Sequence, residues 1–453
     1  MTRKHGIALA ALLSLPSTAG AWEAATTHAG LTQQAAMASS LKRRLGELLG
    51  LSLGLWETIR LRPAGPAADD RLRARLSALD PSGGYAPADG RLTALGWLMA
   101  GSVVESVPVD RERNHFFDPT RGAGLVGGGL VSGFGRGLLA VSSGISSVRE
   151  LFAGTSFDGS GMASTVWIVA PDNDLGLGRF IDARTRAVSA ESAEERESAI
   201  AEALLAAGAI LHVVEDEGDP AYVHNDFRTD LYARGAPFDR FVGVRWGRLG
   251  VPKPTGPGGE VKRLADLISN KEGTGLADRT ARHFYSAGLL DDDAEAERRR
   301  YGLPPLIAGR QPTGYVLDAG KRRVARWWRD EAGRPRWELD ERCYVDAASV
   351  LLPATVEAAL GALEHLFRGS LSLDEGALKN GTVALGAGTV RLYAEGADGR
   401  RRVVSVIEVK TAESGASLLD VEESVRDQHL AAVFRGVDAN GEPIVLSVER
   451  RAR

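Results

Sequence analysis

Apolar positions are spaced and punctuated in the manner of helices from residue 22 to about residue 370. Beyond Ser370 they fall into short β-type runs. Helices are predicted over Thr32–Leu51, Arg71–Leu79 and Arg91–Ser106, and most clearly over Ala193–Glu217. There Ser192 and Glu195 form an S-x-x-E capping box, while Gly218 and Pro220 end the helix. Leu205, Gly208, His212 and Asp216 share one stripe of it, at spacings of three and four. Gly208 costs about 1 kcal/mol against Ala in a helix, a cost that close approach of another segment beside His212 would offset. Asp346–Phe367 reads as a further helix, kinked or restarted at Pro353. Thr382–Glu395 and Arg402–Val409 are β-rich runs separated by Gly396-Ala-Asp-Gly399, and Leu430–Val437 and Pro443–Val448 are separated by Asp438-Ala-Asn-Gly441. These Gly-containing turns between β-branched runs are hairpin signals, and they predict a small β-sandwich over residues 371–453 after a mainly α domain over 22–370. Val251–Gly259 is a loop by composition. Gly122–Ser147, glycine-rich yet apolar, is either a lid that touches substrate or an irregular packed loop.

The chain has 453 residues, 44% hydrophobic and 25% charged, enough for two globular domains. Arg3 and Lys4, the apolar stretch Ile7–Leu15 and Ala19-Gly20-Ala21 have the form of a secretory signal cut after Ala21. Export would place the protein in the periplasm or outside the cell, with Trp22 as its N-terminus. Losing those two basic residues takes the formal net charge from −4 to about −6, which disfavours an electrostatic duplex-DNA binder. The single cysteine, Cys343, excludes an intramolecular disulfide and a thiolate zinc cluster. Any metal must therefore be held by His, Asp, Glu or backbone groups. Gly122–Ile145 carries Arg136 and repeated glycines, so it makes a poor membrane span, and no transmembrane segment is expected in the cleaved chain. Gly122-Ala-Gly124-Leu-Val-Gly127 fits G-x-G-x-x-G, but Asp118-Pro119 breaks the strand that a dinucleotide site needs before it. There is no G-x-S-x-G elbow either.

Candidate chemistry gathers in four short segments: Trp22 to His28, Asn114-His115-Phe116-Phe117-Asp118, the helical pair His212 and Asp216, and Pro220-Ala-Tyr-Val-His-Asn-Asp226. His212 and Asp216 lie one turn apart on one helix face, so both can reach one ion. In this order the segments resemble the zinc-dependent phospholipase C and single-strand nuclease superfamily, with the match spanning roughly Trp22–Phe367. The resemblance implies up to three zinc ions. One would be held by the Trp22 amine and carbonyl, His28 and Asp216. A second would use His115, His212, Asp216 and an upstream carboxylate, Glu105 or alternatively Asp110, which is also the candidate base. Tyr222 occupies the place where the family has a histidine of the third site, leaving His224 and His283 as its candidate nitrogens. His365 and His429 have no family role.

The implied chemistry is phosphodiester hydrolysis, since clustered zinc lowers the pKa of a bound water towards about 7. A phospholipid substrate, with peripheral membrane contact, is the first expectation, and Phe116, Phe117 and Tyr222 would either wall its pocket or pack in the core. A single-strand nuclease or nucleotidase is the alternative, needing aromatic platforms and basic phosphate contacts. The remaining alternative is a catalytically degenerate scaffold whose β module binds a partner.

Overall fold

The computed structural model describes residues 24–63, 66–79, 84–126, 160–226, 237–254, 256, 261–374 and 376–450. Residues 1–23, most of the Gly122–Ser147 segment and residues 255 and 257–259 of the Val251–Gly259 loop lie outside them. A mainly α-helical part comes first: α1 (Ala29–Ala38), α2 (Leu41–Leu49), α3 (Pro66–Leu79), α4 (Ala94–Val104), α5 (Leu177–Ser189), α6 (Ala193–Asp216), α7 (Pro237–Arg245), α8 (Leu276–His283), α9 (Glu295–Tyr301) and α10 (Glu341–Leu366). An antiparallel β-sandwich follows it.

The centre of the helical part is α6. The Ser192 side chain accepts from the Glu195 backbone and the Glu195 carboxylate accepts from the Ser192 backbone, so the expected capping box is formed. From Ala203 to Asp216 every residue of α6 is buried, as befits a helix that is apolar all round and enclosed by neighbours. It packs on α4, α5 and α10. The contact with α4 is made through two glycines. A Cβ at Gly208 would stand 1.9 Å from the Leu98 carbonyl oxygen, and one at Gly101 would stand 2.0 Å from that of Leu205. The two backbones touch, which is the compensation that Gly208 called for. By length and composition α6 and α10 could each cross a membrane, but the apolar window of α6 is 89% buried within the protein.

Several boundaries differ from the sequence expectation. Thr32–Leu51 is two helices, because Ser39 leaves helical geometry and its hydroxyl donates to the Ala36 carbonyl and accepts from Leu41 N–H. Serine hydroxyls compete in this way with the helical ladder. Ser40 then donates to Glu364 of α10 through backbone and side chain alike. Arg91–Ser106 begins as a strand: β2 (Arg91–Thr93) pairs antiparallel with β1 (Thr58–Arg60), and Thr93 then caps α4 by accepting from Gly96 N–H at 3.0 Å. The helix does not restart at Pro353. α10 starts earlier, at the cap Asp340, and runs as one helix through the proline, because burial of Leu351, Leu352 and Val356 outweighs the lost backbone bond. A three-stranded sheet of β3 (Thr313–Leu317), β4 (Arg323–Arg329) and β5 (Pro335–Glu338) was not anticipated.

The C-terminal region forms a sandwich. One sheet contains β6 (Leu371–Asp374), β7 (Ala377–Asn380) and β10 (Ser417–Asp420). The other contains β8 (Leu385–Glu395), β9 (Arg401–Val409), β11 (His429–Asp438) and β12 (Pro443–Arg450), in the order β12-β11-β8-β9. Both expected hairpins are present, with Gly399 and Gly441 at positive φ in their turns. The sheets share a core of Leu371, Leu378, Val390, Leu430, Phe434 and Leu446. Side chains alternate along β11. Leu430, Ala432 and Phe434 face the sandwich core, while Ala431 and Val433 join Tyr393 and Val445 in the core of the helical part. Polar ties cross the same seam: Arg401 donates to the Val188 carbonyl at 2.7 Å, Ser447 to that of Leu48 at 2.8 Å, and Arg368 pairs with Asp438 at 2.9 Å.

The glycine contact yields a test. Gly208→Ala improves helix propensity, yet the new methyl collides with backbone that has no room to yield. The variant is expected to lose about 1–3 kcal/mol, read by urea denaturation. A variant as stable as the parent would show that α4 and α6 can separate without cost.

Candidate metal centre

Where α4 crosses α6, the end of α6 brings Glu215 and Asp216 to a polar cluster enclosed by apolar packing. His28, Glu105, His115, His212, Glu215 and Asp216 are each 0% exposed. His212 lies one turn beyond Gly208, and its Nδ1–H donates to the Ser102 carbonyl of α4 at 2.6 Å. The close crossing makes that bond reachable and leaves Nε2 facing Asp216 Oδ2 at 3.3 Å, with Ser106 Oγ also at 3.3 Å. His28 ends the helical turn Ala24–His28 that leads into α1. Its ring stacks on His212 with centroids 3.6 Å apart, and its Nε2 lies 3.1 Å from Asp216 Oδ1. His115 follows the 3-10 turn Val109–Asn114 and places Nδ1 2.6 Å from Asp216 Oδ2. Asp216 is thus faced by three imidazoles.

Burial opposes ionisation of Asp216, but His212, His28 and His115 together hold its carboxyl well below the usual carboxylate range. Burial also works against a charge on His28. Asp216 and then Glu215 outweigh it and raise the imidazole to about 9. Burial, reinforced by the neighbouring His28, lowers His212 to about 4. His115 is raised, because its bonds to Asp216 and Glu105 exceed the penalty of burial.

The cluster suits a divalent ion. One donor atom each from His28, His212 and Asp216 lies within 4.8 Å of the others. His28 Nε2 and Asp216 Oδ1, both completely buried, face each other at 3.1 Å and make no hydrogen bond to a third group among the described residues. An ion bound between them would satisfy both. Two imidazoles and a carboxylate form a nitrogen and oxygen set of the kind zinc accepts.

Other expected site residues fall elsewhere. Trp22 lies outside the described residues. Glu105 does join the cluster, 3.4 Å from His115 Nε2, but its carboxylate is taken up by Arg111 at 2.6 Å and by the Trp167 indole N–H at 3.0 Å. Burial would raise its pKa, yet Arg111 and His115 pull it down to about 2. Glu105 therefore stands beside His115 with its carboxylate held by Arg111. Asp110, the other candidate base, pairs with Arg113 at 3.2 Å, one turn along its own segment. His224 faces the Ala281 carbonyl at 3.0 Å and packs edge-on against Tyr301. His283 is exposed, near Arg322 and Asp318. Neither histidine joins the metal-competent group found among the described residues. Phe116 and Tyr222 stack at 4.3 Å and, like Phe117, are buried in the core.

Sequence reasoning missed Glu215, Arg111, Trp167 and the Ser102 carbonyl. The visible signal was the Glu215-Asp216 pair at the end of an apolar helix, since carboxylates are rarely buried unless paired.

Arg111 supplies the site's test of electrostatics. It pairs with Glu105 and Asp174, both at 2.6 Å, so Arg111→Ala leaves Glu105 buried and uncompensated. A loss of about 3–5 kcal/mol is expected, read by thermal and denaturant unfolding. A change below about 1 kcal/mol would mean that Glu105 is neutralised by other groups.

No family model and no curated protein matches the chain. Among solved structures it is similar to an alpha toxin from Clostridium absonum, at 10% identity over 96% of each chain with a TM-score of 0.30. It is also similar to Clostridium perfringens alpha-toxin from avian strain SWCP, at 11% identity over 95% of this chain and 98% of that one, again with a TM-score of 0.30. Likeness at that level carries no argument about activity, so the functional reading rests on the cluster itself.

Proposed function

We propose that the chain is an exported, zinc-dependent hydrolase of phosphodiesters, of the phospholipase C type. The observation that carries this reading is the buried group His28, His212 and Asp216, whose donor atoms lie within 4.8 Å of one another and in which His28 Nε2 and Asp216 Oδ1 face each other at 3.1 Å. These three residues would hold one ion, with His115 beside them, and the Trp22 amine would join the set after cleavage behind Ala21. Zinc in such a set lowers the pKa of a bound water and polarises phosphoryl oxygens. The protein's own groups supply the arrangement. Asp216 offers both oxygens to the imidazoles, the Ser102 carbonyl fixes the His212 ring, and Glu105 with Arg111 fixes His115. Closely packed aromatic and aliphatic side chains keep the centre dry, which strengthens every charge interaction in it. On this reading residues 371–453 are an accessory module and the substrate is a phospholipid, with single-stranded nucleic acid less favoured.

One observation favours a second reading. All three ligand side chains are completely buried, as in structural metal sites that stabilise a fold without turning over substrate. The chain would then be a scaffold of inherited shape.

The deciding experiment is metal analysis by mass spectrometry on exported protein beginning at Trp22, followed by assays on phosphatidylcholine vesicles and single-stranded DNA. Two or three bound zinc ions, their loss in His212→Ala and release of a phosphorylated head group are expected. Zinc that raises the melting temperature without any hydrolysis would favour the scaffold. Protein that takes up no zinc on reconstitution would end both readings.

A further inference from the structure

The His28 ring is held at both edges by consecutive residues of α6. Asp216 faces its Nε2 at 3.1 Å, and Glu215 accepts from its Nδ1 at 2.8 Å. The second oxygen of Glu215 is fixed in turn, because Thr32 Oγ1, one helical turn along from His28, donates to it at 2.8 Å. We propose that Glu215 is a positioning residue for the metal centre: by occupying His28 Nδ1 it dictates that Nε2 is the nitrogen presented to the ion. The inference rests on the metal-centre reading above and extends it to a residue that touches no ion.

An imidazole has two nitrogens and offers an ion only one, so a histidine ligand needs a partner for the other. The three imidazoles of this cluster meet that need differently. His212 uses a neutral backbone carbonyl, that of Ser102. His115 spends Nδ1 on Asp216 and turns Nε2 towards Glu105. His28 has a carboxylate, that of Glu215, at its Nδ1. Glu215 is completely buried near the end of an apolar helix. A carboxylate there is costly unless it is paired and hydrogen-bonded, and His28 and Thr32 are among its partners. An anionic acceptor also makes the imidazole a better donor to a cation, so Glu215 strengthens the site as well as orienting it.

The test is zinc titration by calorimetry on the chain beginning at Trp22, with Glu215→Gln and Glu215→Leu compared against the parent. NMR of the His28 Nδ1 proton is recorded on the same samples. Glu215→Leu is expected to bind zinc about 10–100-fold more weakly and to lose the downfield Nδ1 proton. Glu215→Gln keeps an oxygen for Nδ1–H and an amide for the Thr32 hydroxyl, so it is expected to recover most of the affinity and the proton signal. The idea is overturned if Glu215→Leu binds zinc as tightly as the parent, or if Glu215→Gln is as weak as Glu215→Leu, which would make charge alone the cause. Should Glu215→Leu fail to fold, Thr32→Val decides: a several-fold loss of affinity supports the proposal and unchanged binding overturns it. A parent that binds no zinc would sink the metal-centre reading instead, while the Nδ1 proton would still report whether Glu215 holds His28.

Discussion

The backbone contact between α4 and α6 at Gly101 and Gly208 is the constraint on which the rest of the site depends. With side chains at these positions the helix axes would separate, and the Ser102 carbonyl would move out of reach of His212. Helices in globular proteins usually pack with axes 8–10 Å apart, according to the side chains at the contact. Glycine on both sides allows the closest approach. The helix propensity given up at two positions is exchanged for a fixed orientation of one imidazole, and through Asp216 for that of the cluster.

The second constraint is electrostatic. Carboxylates and imidazoles withdrawn from water persist only where each charge has a near partner. Asp216 is compensated by the imidazoles around it, and Glu105 by Arg111. Glu112 and Glu217 are also buried. Burial and the neighbouring Asp216 raise Glu112 well above the ordinary carboxyl range, and burial does the same to Glu217, where Ser164 donates to the carboxylate at 2.5 Å. The centre therefore combines ionised acids held by cationic neighbours with acids pushed towards the neutral form.

The helical part and the sandwich are joined through a strand used on both faces. Because β11 alternates between two cores, the sandwich is tied to α5 by apolar packing as well as by the polar bonds of Arg401 and Arg368. α10 links the regions at another point. Glu364 receives the Ser40 donors near its C-terminal end, and His365, which has no role at the metal centre, lies 3.8 Å from Glu442 of the sandwich.

Local pattern by itself determined the elements whose signals are local. The capping box of α6, the two Gly-containing hairpin turns and the one-turn spacing of His212 and Asp216 depend on residues a few positions apart. So did the prospect of a nitrogen and oxygen metal site, since one cysteine leaves no other donors. Tertiary structure decided what depends on distant partners. Ser39 and Ser40 split a periodic helix because Glu364, more than 300 residues away, accepts the freed donors. Pro353 failed to break α10 because buried neighbours held the helix together. His224 and His283, the candidate nitrogens of a third site, lie by the Ala281 carbonyl in one case and in the Arg322 and Asp318 region in the other. Glu105 lies at the cluster as expected from the sequence, but its pairing with Arg111 is one that no spacing rule reveals. Glu215 stood out only as a carboxylate at the end of an apolar helix, and it acquires its meaning when the fold delivers His28 and Thr32 to it.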